Sequence, residues 1–325
     1  MKSALVRFAV PLAAFIAATV AGNVPVAQAA DFSCRTAKLI VPWKPGGGTD
    51  VIFRIYANAI NGYGMKPRLQ VVNISGQGGN KGAKQAKKSK PDGCTLFAIH
   101  QSAITSYLNG RIDFTWDAFD TVSLLTDSPE IVGAAGDAPW NTLNEMLEAA
   151  RQSPQTILTG ATFGSTSQFM WLFMEDLSGA RFRYVPFDGT RERMTALLAN
   201  NIQLGTLNVV AGKKYLTGGQ LKAFGIAADE RSDQLPDLPT LKEQGLDLVY
   251  SLKRGIVVQK GTPRNKIEHW AAAFKKASED PAVLTQMQAK GTGVKWAGPA
   301  DYAKWFDQTY RDHEKVAIKI GMFKK

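Results

Sequence analysis

A glycine-rich loop after a short apolar run is the feature of this sequence that most restricts its fold. The run begins at Leu39, and residues 39–50 read LIVPWKPGGGTD. Glycines permit backbone turns that other residues avoid, and the unpaired N–H groups at a helix start carry partial positive charge. The pattern predicts a strand, a turn and a helix from about Asp50 to Ile60 with Thr49 as its N-cap. Such a turn either binds a carboxylate or phosphate or is a tight turn without a ligand.

The first residues have the pattern of a cleaved secretory signal. Lys2 and Arg7 precede an apolar stretch, and small residues up to Ala29 form a cleavage site. The apolar stretch is too short for a transmembrane helix, which needs about 20 residues. We therefore expect residues 1–29 to be removed on export and the remainder of the chain to be periplasmic.

The sequence is basic, with a formal net charge of +11, and its densest cationic segment is residues 81–90. The lysines of this segment recur at mostly helical spacing, without the arginine and aromatic pattern of a nucleic-acid site. This spacing indicates a solvated helix face. We expect no nucleic-acid partner for an exported protein of this kind.

The sequence contains two cysteines, Cys34 and Cys94, and each precedes a strand-like run. In an oxidising compartment a disulfide between them is the simplest interpretation. Two separate buried thiols are the alternative.

Short β-branched runs alternate with amphipathic segments along the chain, which predicts an α/β fold of two doubly wound lobes with parallel sheets. The first lobe is expected over residues 30–134, the second over 135–250, and a return to the first lobe over 251–325. The extended crossings at 130–134 and 250–259 are predicted to form a two-strand hinge. Strands are predicted at residues 39–42, 68–73, 95–100, 121–125, 156–159, 182–186, 202–207 and 223–227.

No catalytic constellation is recognisable. His100, His269 and His313 are far apart in the sequence and have no metal-ligand spacing around them. Residues 164–167 are not a nucleophile elbow, and the glycine loop lacks the lysine-serine or lysine-threonine ending of a phosphate loop. We therefore expect neither an enzyme nor a bound metal or cofactor.

The strand, turn and helix-start pattern recurs in the predicted second lobe. Residues 184–190 read YVPFDGT, and residues 164–167 add a hydroxyl-rich helix start. Two facing lobes with backbone donors at helix starts would hold a small ligand with acidic groups. Trp43 and Phe187 occupy matching places in the two loops, where they are either apolar walls of the site or core aromatics.

These motifs carry a family resemblance. Residues 39–50 resemble the VPFPPGGGTD signature of the extracytoplasmic solute receptors of tripartite tricarboxylate transporters, the Bug family, with Trp43 and Lys44 in place of phenylalanine and proline. Further segments resemble other family motifs in the same order, across nearly the whole mature chain. They are residues 72–82 (VNISGQGGNKG), 91–96 (PDGCTL), 185–189 (VPFDG), 237–245 (DLPTLKEQG), and the pair 254–255 (RG) and 260–263 (KGTP).

The resemblance implies a type II periplasmic binding fold that closes on a small carboxylate-bearing metabolite and hands it to a membrane permease. A ligand-sensing partner of a membrane signalling protein would use the same fold, and a periplasmic enzyme is a third alternative. We expect a monomer. The expected ligand-binding residues are Trp43, Lys44, Gly46, Gly47, Gly48, Thr49, Asp50, Gln101, Ser102, Ser165, Thr166, Ser167, Phe187, Asp188, Gly189, Thr190 and Asn208.

Three positions depart from the family pattern. Asp188 stands where the second loop usually has lysine, Gln168 lies near a frequent histidine, and Gln203 replaces a common aspartate. Asp188 would repel a carboxylate unless it points away from the ligand or pairs with Lys44 or Arg191.

Overall fold

The computed structural model describes residues 30–322, so the predicted signal sequence lies outside the described residues. Within that range no helix is long and apolar enough to cross a membrane. The described chain forms ten strands: β1 (Thr36–Val41), β2 (Arg68–Asn73), β3 (Thr95–Ile99), β4 (Phe119–Ala135), β5 (Leu158–Ala161), β6 (Arg183–Pro186), β7 (Leu204–Asn208), β8 (Leu221–Ile226), β9 (Ser251–Gln259) and β10 (Gly293–Ala297).

Ten α-helices cover the two faces of the sheet in the described part of the chain. They are α1 (Gly48–Gly62), α2 (Asn80–Lys87), α3 (Ser102–Leu108), α4 (Leu143–Gln152), α5 (Thr166–Ser178), α6 (Thr190–Leu198), α7 (Val209–Thr217), α8 (Arg264–Glu279), α9 (Pro281–Ala289) and α10 (Pro299–Lys319).

The first lobe has a mixed sheet with the strand order β2-β1-β3-β9-β4. β1 pairs in parallel with β2 and β3, but β9 runs antiparallel to both β3 and β4. The predicted all-parallel sheet is therefore wrong for this lobe. The chain returns from the second lobe to place β9 between β3 and β4, and the direction of that return makes β9 antiparallel.

β4 is one continuous strand that belongs to both lobes, where the sequence predicted two separate strands. It pairs with β9 as far as Pro129, opposite Ser251, and from Glu130 onward it pairs with β7 and β8. Proline lacks an N–H donor and is tolerated where a ladder ends. Pro129 therefore marks the point where β4 exchanges one partner strand for others.

The lobes are joined by β4 and by the extended segment at Tyr250. The N–H of Glu130 donates to the Tyr250 carbonyl at 3.1 Å, and the N–H of Tyr250 donates to the Ala227 carbonyl at 3.0 Å. Both connections therefore run side by side at the crossing, which is the arrangement of a hinge between two lobes.

The second lobe repeats the mixed arrangement, with β5 parallel to β6 and β7 and with β7 and β8 antiparallel to β4. β5 begins and ends two residues later than the predicted strand at 156–159. A short 3₁₀ turn, Lys242–Gln244, follows β8. β10, which pairs with β4, was not predicted.

Each lobe has its own apolar packing. In the first, α1 buries Ile52, Phe53 and Ile60 against β1, β3 and α8. Cys34 and Cys94 form a disulfide with their Cα atoms 6.0 Å apart. The predicted bridge is thus confirmed, and it joins the starts of the neighbouring strands β1 and β3. The lysines of α2 stay at the surface, as expected of a solvated face.

Candidate functional site

A cavity of about 50 Å³ lies between the lobes, where the amino-terminal ends of α1, α5, α6 and α7 converge. The unpaired N–H groups of a helix start give each of these ends a partial positive charge. The residues that line the cavity are Trp43, Lys44, Gly47, Gly48, Thr49, His100, Glu130, Thr162, Ser165, Thr166, Ser167, Asp188, Gly189, Thr190, Arg191, Glu192, Arg193, Asn208, Leu252 and Arg254.

The glycine loop places the start of α1 at this cavity. The helix begins at Gly48 and Gly47 is its N-cap, so the prediction of Thr49 as the N-cap is wrong. The Thr49 side chain instead accepts a hydrogen bond from Arg254 Nε at 3.0 Å. Of the three loop glycines, Gly46 is the one with a left-handed backbone, at φ +80°.

Asp50 holds the loop from behind. Its carboxylate accepts hydrogen bonds from the N–H of Gly46 at 2.9 Å, from Asn73 Nδ2 at 2.8 Å and from Arg54 Nε at 3.0 Å. Burial raises the pKa of this carboxyl, but the three donors outweigh burial and leave the pKa below its ordinary value. An ionised Asp50 therefore fixes the turn that presents Gly47 and Gly48 to the cleft.

The hydroxyl-rich start of α5 forms the facing wall. Ser167 Oγ accepts from the N–H of Thr162 at 2.9 Å and lies 3.1 Å from Ser165 Oγ. The Gly164 carbonyl accepts hydrogen bonds from the hydroxyls of Thr105 and Ser106 in the first lobe, at 3.0 and 2.7 Å. The start of α5 is thus tied to both lobes.

Arg193 of α6 brings a guanidinium to the cavity from the second lobe, and 2% of the residue is exposed. A Cβ atom at Gly160 or Gly205 would lie 2.8 or 3.1 Å from Arg193 Cγ. These paired glycines of β5 and β7 leave the space that its side chain fills. Arg193 Nε donates to the Thr206 carbonyl at 2.9 Å, which fixes the position of the guanidinium.

Arg254 of β9 brings a second guanidinium from the first lobe, and 1% of it is exposed. In addition to its bond to Thr49, its Nη1 donates to Ser128 Oγ at 2.8 Å. Burial lowers the pKa of both Arg193 and Arg254 to about 10, and the carboxyl of Glu130 opposes that change. Both guanidinium groups therefore remain charged at neutral pH.

Glu130 is the acidic residue whose charge acts on both of these cations. It is 3% exposed and lines the cavity. Burial raises its pKa to about 7, against the opposing influence of Arg193 and Arg254. Burial thus favours the protonated form of this carboxyl, and the two guanidinium groups favour the ionised form.

Trp43 and His100 form an aromatic side of the cavity. Their rings are stacked with centroids 5.3 Å apart, and Trp43 Nε1 donates to His100 Nε2 at 3.1 Å. Burial, together with the charge of Arg254, lowers the pKa of His100 to about 3. His100 is therefore neutral and serves as a hydrogen-bond acceptor for Trp43.

Three polar contacts cross the mouth of the cleft. Lys44 forms an ion pair with Glu192, and Arg191 Nη1 donates to the Pro45 carbonyl at 2.9 Å. Asp188 Oδ1 accepts from the N–H of Gly78 at 2.7 Å. Of the pairings that the sequence left open, neither Lys44 nor Arg191 forms an ion pair of 4.0 Å or less with Asp188 in residues 30–322, but the charge of Asp188 helps to raise the pKa of Lys44.

Five of the residues expected to bind ligand do not line the cavity. Gly46 and Asp50 support the loop from outside it, and Ser102 is the first residue of α3. The Gln101 side chain donates to the Ser251 carbonyl at 2.6 Å and ties α3 to β9. Phe187 is half-buried and packs against the apolar cluster of the second lobe, so of the two loop aromatics Trp43 is the one that borders the cavity.

The most consequential residues that the sequence interpretation missed are Glu130, Arg193 and Arg254. Glu130 and Arg254 are charged side chains in strands whose other residues are mainly apolar or small, whereas Arg193 lies in a helix with other charged residues. A buried charge must have a partner, because transfer from water to the interior is costly. That rule would have singled out Glu130 and Arg254 within their strands. Arg193 gave no such signal, since α6 carries several charges.

Comparison with known proteins identifies the family. The family model described as the tripartite tricarboxylate transporter family receptor matches residues 53–322. The chain belongs to this family. Its resemblance to Bug proteins is thereby confirmed, and the receptor is a periplasmic solute-binding protein by family. Within residues 30–322 it has no group of three or more His, Cys, Asp or Glu residues that could hold a metal ion.

The receptor is similar to proteins of several bacteria. The UPF0065 protein in the gbd 5′ region of Cupriavidus necator is 27% identical over 310 residues, 92% of this chain and 91% of that one. The structure of MatC from Rhodopseudomonas palustris with bound malate is 26% identical with a TM-score of 0.81, covering 88% of this chain and all of that one. The structure of the periplasmic binding protein BugD shares the fold, with a TM-score of 0.81 at 24% identity over 89% and 99% of the two chains.

Proposed function

We propose that the receptor binds a small carboxylate in the cleft between its lobes and delivers it to the permease of a tripartite tricarboxylate-type transporter. The observation that carries this proposal is a pair of buried guanidinium groups, one from each lobe, at a cavity surrounded by helix amino-terminal ends. Buried guanidinium groups and free N–H donors are complementary to a carboxylate.

The two guanidinium groups also suggest how the ligand favours closure. Arg254 is held by Thr49 and Ser128 of the first lobe, and Arg193 by Thr206 of the second. A carboxylate between them would interact with both lobes at once and would bind the closed form better than the open form. A ligand shifts a conformational equilibrium by that difference in affinity.

Ligand entry requires the lobes to separate. The cavity of about 50 Å³ is smaller than the several hundred Å³ of common ligand sites, because the three polar contacts described above hold its mouth together. We propose that residues 30–134 with 251–325 move against 135–250, and that the hinge lies where β4 changes partner strands.

The MatC structure, which holds malate, supports a carboxylate ligand for this receptor. We further propose that residues 1–29 are a cleaved export signal, that the mature receptor is a monomer, and that it releases its ligand chemically unchanged. Of the ligand-binding residues predicted from sequence, those on the cavity wall are proposed as contacts, and Arg193 and Arg254 as the charged anchors.

The test is a thermal-shift screen of the mature protein with mono-, di- and tricarboxylates and aromatic acids, followed by calorimetry of the hits. Arg254→Gln should reduce affinity about 100-fold, because a buried charge-assisted contact is lost. Arg264→Gln is the matched control, since its side chain is 90% exposed on α8. Binding of cationic or neutral compounds only, or equal affinities of both variants, would contradict the proposal, and recovery of a chemically altered acid would indicate an enzyme.

A further inference from the structure

Glu130 has an oxygen atom without a partner at the wall of the cavity. Oε2 is buried and makes no hydrogen bond to any residue that the structure describes. The backbone of Glu130 is satisfied, because its N–H donates to the Tyr250 carbonyl and its carbonyl accepts from Ala227. The unsatisfied group is therefore the side chain, and a buried acceptor without a donor destabilises its environment.

The two guanidinium groups do not satisfy this oxygen. Within residues 30–322 neither Arg193 nor Arg254 forms an ion pair of 4.0 Å or less with Glu130, although both influence its charge. Arg254 donates instead to Thr49 and Ser128. Arg193 donates to the Thr206 carbonyl and, at 3.3–3.5 Å, to the hydroxyls of Thr162, Ser167 and Thr190. The cavity wall thus has two buried guanidinium groups and one buried, unpaired carboxylate oxygen, which influence one another without forming an ion pair.

We propose that Glu130 determines specificity by accepting a hydrogen bond from a donor group that the ligand carries close to its carboxylate. The inference rests on the proposed function, in which the carboxylate lies at Arg193 and Arg254. A ligand with a hydroxyl or ammonium group then satisfies the acceptor that a plain acid leaves unpaired.

The discrimination follows from what an unsubstituted acid would do in the same place. Its carboxylate would bind to the two guanidinium groups, but a CH group would face Glu130. That group would exclude water from the Glu130 oxygen and would donate no hydrogen bond to it. Sites that hydrogen-bond a substrate group reject analogues that lack it for this reason. An ammonium group also matches the charge of an ionised Glu130, whereas a hydroxyl group supplies the hydrogen bond alone.

The test compares acids that differ only in the donor. Calorimetry at pH 7.5 on wild-type protein would use two series of acids. The first is succinate, malate and aspartate, and the second is propionate, lactate and alanine. Both enantiomers of each chiral acid are measured. In at least one of the two series, an acid with a hydroxyl or ammonium group should bind at least about tenfold more tightly than its unsubstituted parent. A hydrogen bond to a charged group strengthens binding by about this factor. This comparison requires no variant.

Glu130→Gln assigns the preference to the residue. The amide keeps an acceptor oxygen but loses the negative charge, so the tenfold preference for an amino acid should disappear and that for a hydroxy acid should fall less. The matched control is Glu148→Gln on the exposed face of α4, which should retain every preference. The ratio of affinities is the readout, so a uniform loss from altered packing is distinguishable.

If no donor-bearing acid binds more tightly than its parent, or if Glu130→Gln keeps the full preference, the inference is wrong. It is equally wrong if Glu130→Gln binds the unsubstituted acid best and wild type takes up a proton with that acid, because Glu130 would then be a hydrogen donor. These outcomes leave the proposed function intact when other carboxylates bind in the screen. Failure of every carboxylate would contradict the proposed function itself.

Discussion

Asp188 of the second lobe accepts a hydrogen bond from the backbone N–H of Gly78 in the first lobe, at 2.7 Å. This contact gives a partner to the carboxylate that the sequence placed beside a site for an anion, and Asp188 still lines the cavity. One oxygen of the carboxylate is occupied by a backbone donor across the cleft. The residue that departs from the family pattern therefore acts as a contact between the lobes.

We predict that Asp188→Ala weakens ligand binding about fivefold, because a hydrogen bond that exists only between closed lobes contributes about 1 kcal/mol. Calorimetry with the best carboxylate of the screen measures the change. Asp188→Asn is the control, since its amide oxygen can still accept from Gly78, and it should lie closer to wild type. Tighter binding by Asp188→Ala would mean that the negative charge opposes the ligand.

The glycine loop yields a second prediction, in which two glycines have separate roles. Gly46→Ala should lower the free energy of unfolding by about 1–2 kcal/mol, because Gly46 has φ +80°. Gly48→Val should remove binding with a smaller loss of stability. A Cβ there lies 3.5 Å from Arg254 Nη2 and from Asn208 Oδ1, so the added methyl groups occupy the cavity.

Denaturant unfolding and calorimetry separate these two effects. The control is Gly62→Ala, at the other end of α1, where a Cβ has no neighbour within 4 Å. It should bind ligand normally. Retention of wild-type affinity by Gly48→Val would show that the ligand does not approach the start of α1.

Local patterns predicted much of the fold, and distant partners explain what they missed. The strand, turn and helix at residues 39–60 follow from a glycine run and helical periodicity, which are properties of neighbouring residues. Arg193 is buried because Gly160 and Gly205, on two other strands, leave space for it. Likewise Pro129 lies within β4 because that strand pairs with β9, where Ser251 is the partner of Pro129. Such relationships depend on the assembled sheet and have no local signal.

The disulfide supports a third prediction. Cys34 and Cys94 are 60 residues apart, and a cross-link of that span lowers the entropy of the unfolded chain. The chain-entropy model gives about 4 kcal/mol of stabilisation. Cys34→Ser with Cys94→Ser should therefore lower the melting temperature markedly while the affinity of the folded protein stays unchanged, because the bridge is at the starts of β1 and β3. Equal melting temperatures with and without the bridge would contradict this.

The fourth prediction concerns the pH dependence of stability. Burial raises the pKa of Glu130 to about 7 from the 4.5 expected in the unfolded chain. Between these two pKa values the folded protein holds a proton on Glu130 that the unfolded chain has released. The contribution of Glu130 to the free energy of unfolding therefore falls as the pH rises from 4.5 to 7, and it is constant above pH 7. The loss is on the order of 3 kcal/mol.

Glu130→Gln cannot ionise and should not show this loss. The stability of the variant relative to wild type should therefore increase as the pH rises from 4.5 to 7.5, by up to about 3 kcal/mol. Urea unfolding at intervals of half a pH unit measures the difference, which cancels the titration of all other groups. Glu148→Gln is the control, because the hydrogen bond from Arg151 holds the Glu148 pKa below its ordinary value of 4.5, so its contribution to stability changes mainly below this pH range and the difference from wild type should stay nearly constant within it. Parallel stability curves for wild type and Glu130→Gln would contradict this prediction, because they would show that Glu130 is ionised in the folded protein throughout this range. The charges of Arg193 and Arg254 would then favour the ionised carboxylate more strongly than burial disfavours it.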